Sequence, residues 1–226
     1  MTRELTTEDS SIMKMVQAIA MSPDDARAVV EKYKKQVKKA KPGLSEAEVG
    51  EIVCSKLISH YSKLAGTVGG ATALAGVVPG VGTAVSLVGG TLADISACIK
   101  FQVDMCLCLA LAVNGEITNE DAKNMSFIIA LWGALEQSGS KGATALASKA
   151  GVKMLNKYLK GPALATIKEL FKKIGIEFTK KGAAKAIPFG VGVVIGAGAN
   201  YALTRYVGKN ALDTLRIRDS EMETRT

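Results

Sequence analysis

The sequence predicts an all-α protein, a multi-helix bundle built around two Gly/Ala-rich apolar helical elements. Three observations predict it. Nearly every boundary signal along the 226 residues is a helix start or stop. No run alternates convincingly between apolar and polar with period two, and Val191 to Ile195, the closest approach to a strand, sits among Gly and Ala at helix-packing spacing. Aromatic residues make up only 5% while Gly and Ala abound, which favours close-packed helices over an aromatic-rich β core.

The elements follow in order. Asp9 or Ser10 caps a short first helix ending near Ala20. Ser22, Pro23, Asp24 and Asp25 form a strong start: a cap, a proline at the first position, then acids at the positive end of the dipole. That helix runs toward Lys39 and stops at Pro42-Gly43. Ser45 with Glu48 has capping-box spacing and opens a helix over 45–63. The second arm of a small-residue hairpin continues through 94–113 as one long helix stopped by Asn114-Gly115, and Thr118 with Asp121 caps another over 119–136. After a loop at 137–142, residues 143–159 and 162–173 read as amphipathic helices with lysines on the wet side, and Gly175 allows a break. Residues 186–207 form the second Gly-rich helix, entered at Pro188, and residues 213–226 read as a flexible charged tail that frays. The expected division is therefore 1–44, N-terminal amphipathic Lys-rich helices; 45–212, the main helical domain; and 213–226, the tail.

Residues 64–93 contain 30 positions without a charge, including eight Gly and six Ala, with Pro79 near the middle. About 20 apolar residues cross a bilayer core, but Pro79 cuts this run into halves of 15 and 14 residues. Small residues let two backbones approach closely, so the expected form is a closely packed helical hairpin bent at Val78-Pro79-Gly80. Ile187-Pro188-Phe189-Gly190 echoes that bend at the head of the second Gly-rich element. Gly76/Gly80 and Gly192/Gly196 supply small-residue contacts at four-residue spacing.

Composition narrows the function classes. Hydrophobic residues at 48% and charged residues at 22% suit a globular chain able to bury a core. The net charge of +8 is moderately basic and allows non-specific attraction to anionic lipid or nucleic acid, though many basic proteins bind neither. MTRELTTEDSS lacks an apolar signal region, so no signal peptide is expected and a cytoplasmic setting, peripheral to or inserted in a membrane, is the default. Cys54, Cys98, Cys106 and Cys108 are expected as buried free thiols; Cys106 and Cys108 lie about 200° apart on a helix and do not face each other.

Catalytic signals are poor. His60 is the single histidine, and no G-x-S-x-G elbow, zinc spacing, complete G-x-G-x-x-G or G-x-x-x-x-G-K-[ST] is present. No catalytic residue, metal or cofactor is expected, and no small-molecule substrate is evident. Lys32, Lys34, Lys35, Lys38, Lys39 and Lys41 crowd one helix end. A solvated face is the first reading; an anionic membrane surface, at about 1 kcal/mol per residue, is the second. Nucleic acid is not expected, since only Tyr33 offers a stacking ring nearby. Asp94, Lys100 and Asp104 interrupt the apolar stretch from 64 to 115. Lys100 and Asp104 are four apart and can pair on one helix face, whereas Asp94 points about 120° away from Lys100. An internal ion pair or an exposed stripe is the first reading, a functional polar site in a membrane bundle the second.

These features together resemble the EcsC family. The hairpin around Pro79, an Asp shortly after it and a helix ending at Asn114-Gly115-Glu116 carry part of the resemblance. The stretch from Ala186-Ile187-Pro188-Phe189-Gly190 to Asn200-Tyr201 and Thr204-Arg205-Tyr206-Val207-Gly208 carries more. It covers roughly 45–212. The hairpin is also similar to the hydrophobic domain of some bacterial GTPases, though this chain has no GTPase motif. The resemblance implies an all-helical, membrane-associated protein with Asn200, Tyr201 and Arg205 as buried polar residues, structural or functional, and it implies little mechanism.

The leading expectation is a non-enzymatic membrane-associated helical protein whose Gly-rich hairpin packs closely or inserts. The alternatives are a soluble protein-interaction or regulatory module and a secreted pore-forming or membrane-perturbing effector. The expected partner classes are an anionic membrane surface, a protein partner, or a second copy of the chain.

Overall fold

A computed structural model describes residues 7–67, 91–137, 145–182 and 197–224. These residues form eight helices and no strand: α1 (Thr7–Ile19), α2 (Pro23–Ala40), α3 (Glu46–Thr67), α4 (Thr91–Val113), α5 (Asn119–Gln137), α6 (Lys149–Lys160), α7 (Ala163–Gly182) and α8 (Ala197–Glu223). The all-α multi-helix bundle expected from the sequence is what the chain adopts. Of the hairpin expected over 64–93, residues 64–67 end α3 and 91–93 begin α4, while 68–90 with Pro79, and likewise Pro188, lie outside the described residues.

The local caps explain where the helices begin. The Asp25 amide donates to Ser22 Oγ at 3.1 Å with Pro23 at the start of α2, so one orphan donor is satisfied and proline removes another. Ser45 and Glu48 form the reciprocal box, with Ser45 N donating to Glu48 Oε2 at 2.8 Å and Glu48 N to Ser45 Oγ at 3.3 Å. Asp121 N donates to Thr118 Oγ1 at 3.1 Å. Gly43 adopts a left-handed φ of 95°, which reverses the chain after α2 at no Cβ cost. The stop after α4 works differently. Asn114 Oδ1 accepts from Glu116 N at 3.1 Å in a local turn, and its amide donates to Asp219 Oδ1 at 3.0 Å.

Helix α4 is the central element, packing against α1, α2, α3, α5 and α8. Every residue from Ser96 to Leu111 is buried, as a helix surrounded on all sides requires. Helix α8 lies beside it, also touching α3, α5 and α6. Its inward row, Leu203, Val207, Ala211 and Leu215, recurs every four residues, one ridge of a packed helix. Gly208 belongs to the same face. A Cβ there would lie 2.8 Å from Met105 Sδ and 3.1 Å from Ile58 Cγ1, so the missing side chain lets α8 settle onto α3 and α4.

Several boundaries differ from the sequence expectation. Residues 213–223 are not a fraying tail: they continue α8, with Thr214 and Leu215 buried. Arg216 pairs with Glu51, and Arg218 Nε donates to Asn156 Oδ1 at 3.0 Å. The charges that suggest a solvated tail are anchored on α3 and α6. Helix α7 runs through Gly175 without a break. Helix α6 starts at Lys149 rather than 143, because Ser148 Oγ accepts from Gly151 N at 3.0 Å and caps it there.

Candidate functional site

The buried polar residues of α4 form the candidate site. Lys100 and Asp104, one turn apart, pair at 2.5 Å (Nζ to Oδ2), and both side chains are almost wholly buried. Lys100 Nζ also lies 5.2 Å from the Phe101 ring centroid. Asp104 Oδ1 accepts from the Met21 amide at 2.8 Å, 83 positions away in sequence. A side chain on the core helix thus holds the corner between α1 and α2.

Burial pushes the Asp104 carboxyl above the ordinary aspartate range, while Lys100 and the Met21 amide oppose that shift. One turn further along, Cys108 Sγ and Tyr61 Oη on α3 lie 3.6 Å apart in the interior. Gln102 Nε2 donates to Thr204 Oγ1 at 3.4 Å and so links α4 to α8.

All four cysteines are free and buried. Burial pushes Cys54 and Cys98 up to about 11 and Cys108 up to about 12, and it raises Cys106 and the Tyr61 hydroxyl as well. The thiols are therefore protonated at neutral pH and poor nucleophiles. All four are expected to resist iodoacetamide at pH 8 in the folded protein and to react after unfolding in urea. Intact-mass spectrometry counts the adducts, and rapid labelling of Cys106 or Cys108 before unfolding would contradict this burial.

His60 is exposed on α3, with its ring centroid 6.2 Å from that of Tyr33. Partial burial, then Lys63 and Lys32, hold its pKa below the usual histidine value. Its charged neighbours are cations rather than an orienting carboxylate.

The other expected site residues fall in different places. Asp94 lies in the first turn of α4, and its side chain is outside the described residues. Asn200 is buried on α8. Tyr201 is only half-buried, and Arg205 is exposed, its Nη1 3.5 Å from Tyr201 Oη. The expectation that these two are buried is corrected by helix phase. Leu203, Thr204 and Val207 define the inward face, and residue 205 is turned about 200° from residue 203. The structure brings Lys100 and Asp104 together and leaves Arg205 apart from them.

Of the α2 lysines, Lys32, Lys35 and Lys39 lie on the side opposite Ala26, Val30 and Val37, which are buried. Lys32, Lys35, Lys38, Lys39 and Lys41 are exposed and Lys34 is half-buried. Lys34 pairs with Glu31 at 3.2 Å and Lys38 with Glu46 at 2.5 Å, so Lys32, Lys35 and Lys39 form the outermost row.

Sequence reasoning did not single out Arg27. Its guanidinium donates to the Gly115 carbonyl at 2.7 Å and the Ile117 carbonyl at 2.9 Å, which fastens α2 to the turn between α4 and α5. Nothing local in the sequence points to those acceptors.

The chain matches no family model, no curated protein and no solved structure.

Proposed function

We propose that this is a non-enzymatic, membrane-associated helical protein that docks from the aqueous side on anionic lipid. The observation that carries the reading is the exposed Lys32, Lys35 and Lys39 row, aimed away from the bundle on a helix whose other face is buried. Lysines near an anionic leaflet contribute about 1 kcal/mol each, and the net charge of +8 adds long-range attraction. The EcsC-like pattern of the sequence agrees with this reading, and so does the uncharged run over 64–93. The candidate nucleophiles offer little chemistry, since the thiols are buried and protonated.

A second reading, a soluble interaction module, is favoured by α4. Ser96–Val113 is long and apolar enough to cross a membrane, yet 89% of it is buried inside the bundle. In this arrangement its apolar surface is spent on other helices.

Flotation with liposomes separates the readings. The expected result is flotation with anionic but not neutral vesicles, lost at high salt as surface electrostatics are screened. Flotation that survives high salt would replace surface docking with insertion of the apolar hairpin. Protein that floats with neither vesicle would leave the soluble module.

A further inference from the structure

Helix α6 has lysine at 149, 153, 157 and 160 and no acidic residue. At 100° per residue these four fall within about 80° of arc. They lie opposite Gly151, Val152 and Leu155, which are buried. All four lysines are exposed, and among the described residues none takes part in an ion pair. Helix α2 differs in carrying acids, Asp24, Asp25 and Glu31, and in having Lys34 and Lys38 paired beside its outer row.

The chain then turns through Gly161 and Pro162 into α7. Leu164, four positions after Lys160, is 54% exposed, and only one other described large hydrophobic residue, Met222, is comparably open. Lys168, one turn beyond Leu164, is exposed on the same helix. A lone bare leucine is ordinary on a protein surface. A bare leucine between the α6 lysine row and Lys168 combines cations for headgroups with an apolar residue, the composition of a lipid-interface segment.

We infer that the α6–α7 corner is the principal lipid contact, with Lys149, Lys153, Lys157 and Lys160 meeting headgroup phosphates and Leu164 entering the acyl boundary. The assignment rests on the membrane reading above and moves its main contact from the α2 row to this corner. Lipid suits this surface better than nucleic acid. The ring nearest the lysine row in sequence, Tyr158, is half-buried and packs against Trp132 with ring centroids 5.8 Å apart, so it offers bases no open stacking platform. Leu164 adds nothing to a phosphate backbone contact.

The test uses the full chain with phosphatidylcholine vesicles, with and without phosphatidylserine. Reversing the α6 row with Lys149→Glu, Lys153→Glu, Lys157→Glu and Lys160→Glu alters exposed positions only, and circular dichroism checks the fold. At about five-fold per lysine, binding to the anionic vesicles should fall at least 100-fold. The α2 variant Lys32→Glu, Lys35→Glu, Lys39→Glu should lose less than about ten-fold, because in this assignment that row is not the main lipid contact. Leu164→Trp provides a readout that does not depend on charge: its emission should shift to the blue on anionic vesicles, against the background of buried Trp132. Equal binding by the α6 variant and the parent, or unshifted Leu164→Trp emission on vesicles that bind the protein, would overturn this assignment and leave the membrane reading standing. A parent chain that binds no vesicle would overturn both. Tighter, α6-dependent binding of an RNA duplex than of anionic vesicles would replace lipid with nucleic acid.

Discussion

Asp104→Ala should lower the free energy of unfolding by about 3–5 kcal/mol, because it strands a buried lysine charge without its partner. Lys100 and Asp104 pair at 2.5 Å in the interior, with Lys100 5% and Asp104 0% exposed. Removing the carboxylate also leaves the Met21 amide without its acceptor, at a further cost of about 1–3 kcal/mol if water cannot reach it. The double variant Lys100→Met, Asp104→Leu removes both charges and fills similar volume. It should recover much of the loss, since an apolar replacement of a buried pair is often neutral or better. Urea denaturation of the parent and both variants measures these differences. A single variant within about 1 kcal/mol of the parent would mean that water reaches Lys100 and that the site is less dry than its geometry implies.

Gly208→Leu should destabilise by about 3 kcal/mol, at the upper end of ordinary overpacking. The first added carbon would already meet Met105 Sδ at 2.8 Å and Ile58 Cγ1 at 3.1 Å, and Met105 is itself fully buried with little room to withdraw. Gly208→Ala is the sharper comparison. Its helix propensity gain of about 1 kcal/mol offsets part of the contact with Met105, so it should be destabilised clearly less than the leucine variant. Thermal unfolding of both variants tests this. Equal stability for Gly208→Leu and Gly208→Ala would show that α8 can move off α4 without cost.

Local chemistry was the legible part of this chain. The Ser22 cap, the Ser45–Glu48 box and the Lys100–Asp104 pair each depend on residues within four positions of one another. Their geometry follows from helix pitch alone. The exposure of Arg205 was legible too, since the Leu203–Val207–Ala211 row sets the phase, whereas its expected burial follows from the family resemblance alone. The same row, continued four residues to Leu215, places the end of α8 in the core although its composition is charged. What could not be read was any partner that only folding brings near. Met21 meets Asp104, Arg27 meets the Gly115 and Ile117 carbonyls, and Arg216 meets Glu51. The α6 lysines were visible as a wet face. Their significance depends on their lack of ion pairs and on the exposure of Leu164, both of which are tertiary facts.

The position of α8 has a kinetic consequence. Helical bundles fold quickly when their contacts join neighbours in the chain. Here α8 seats on α3, and Arg216 reaches Glu51 across 165 positions of sequence. The entropy of closing so long a loop must be met before that interface gives anything back. Such a chain is expected to refold more slowly than a simple up-and-down bundle of the same helix content.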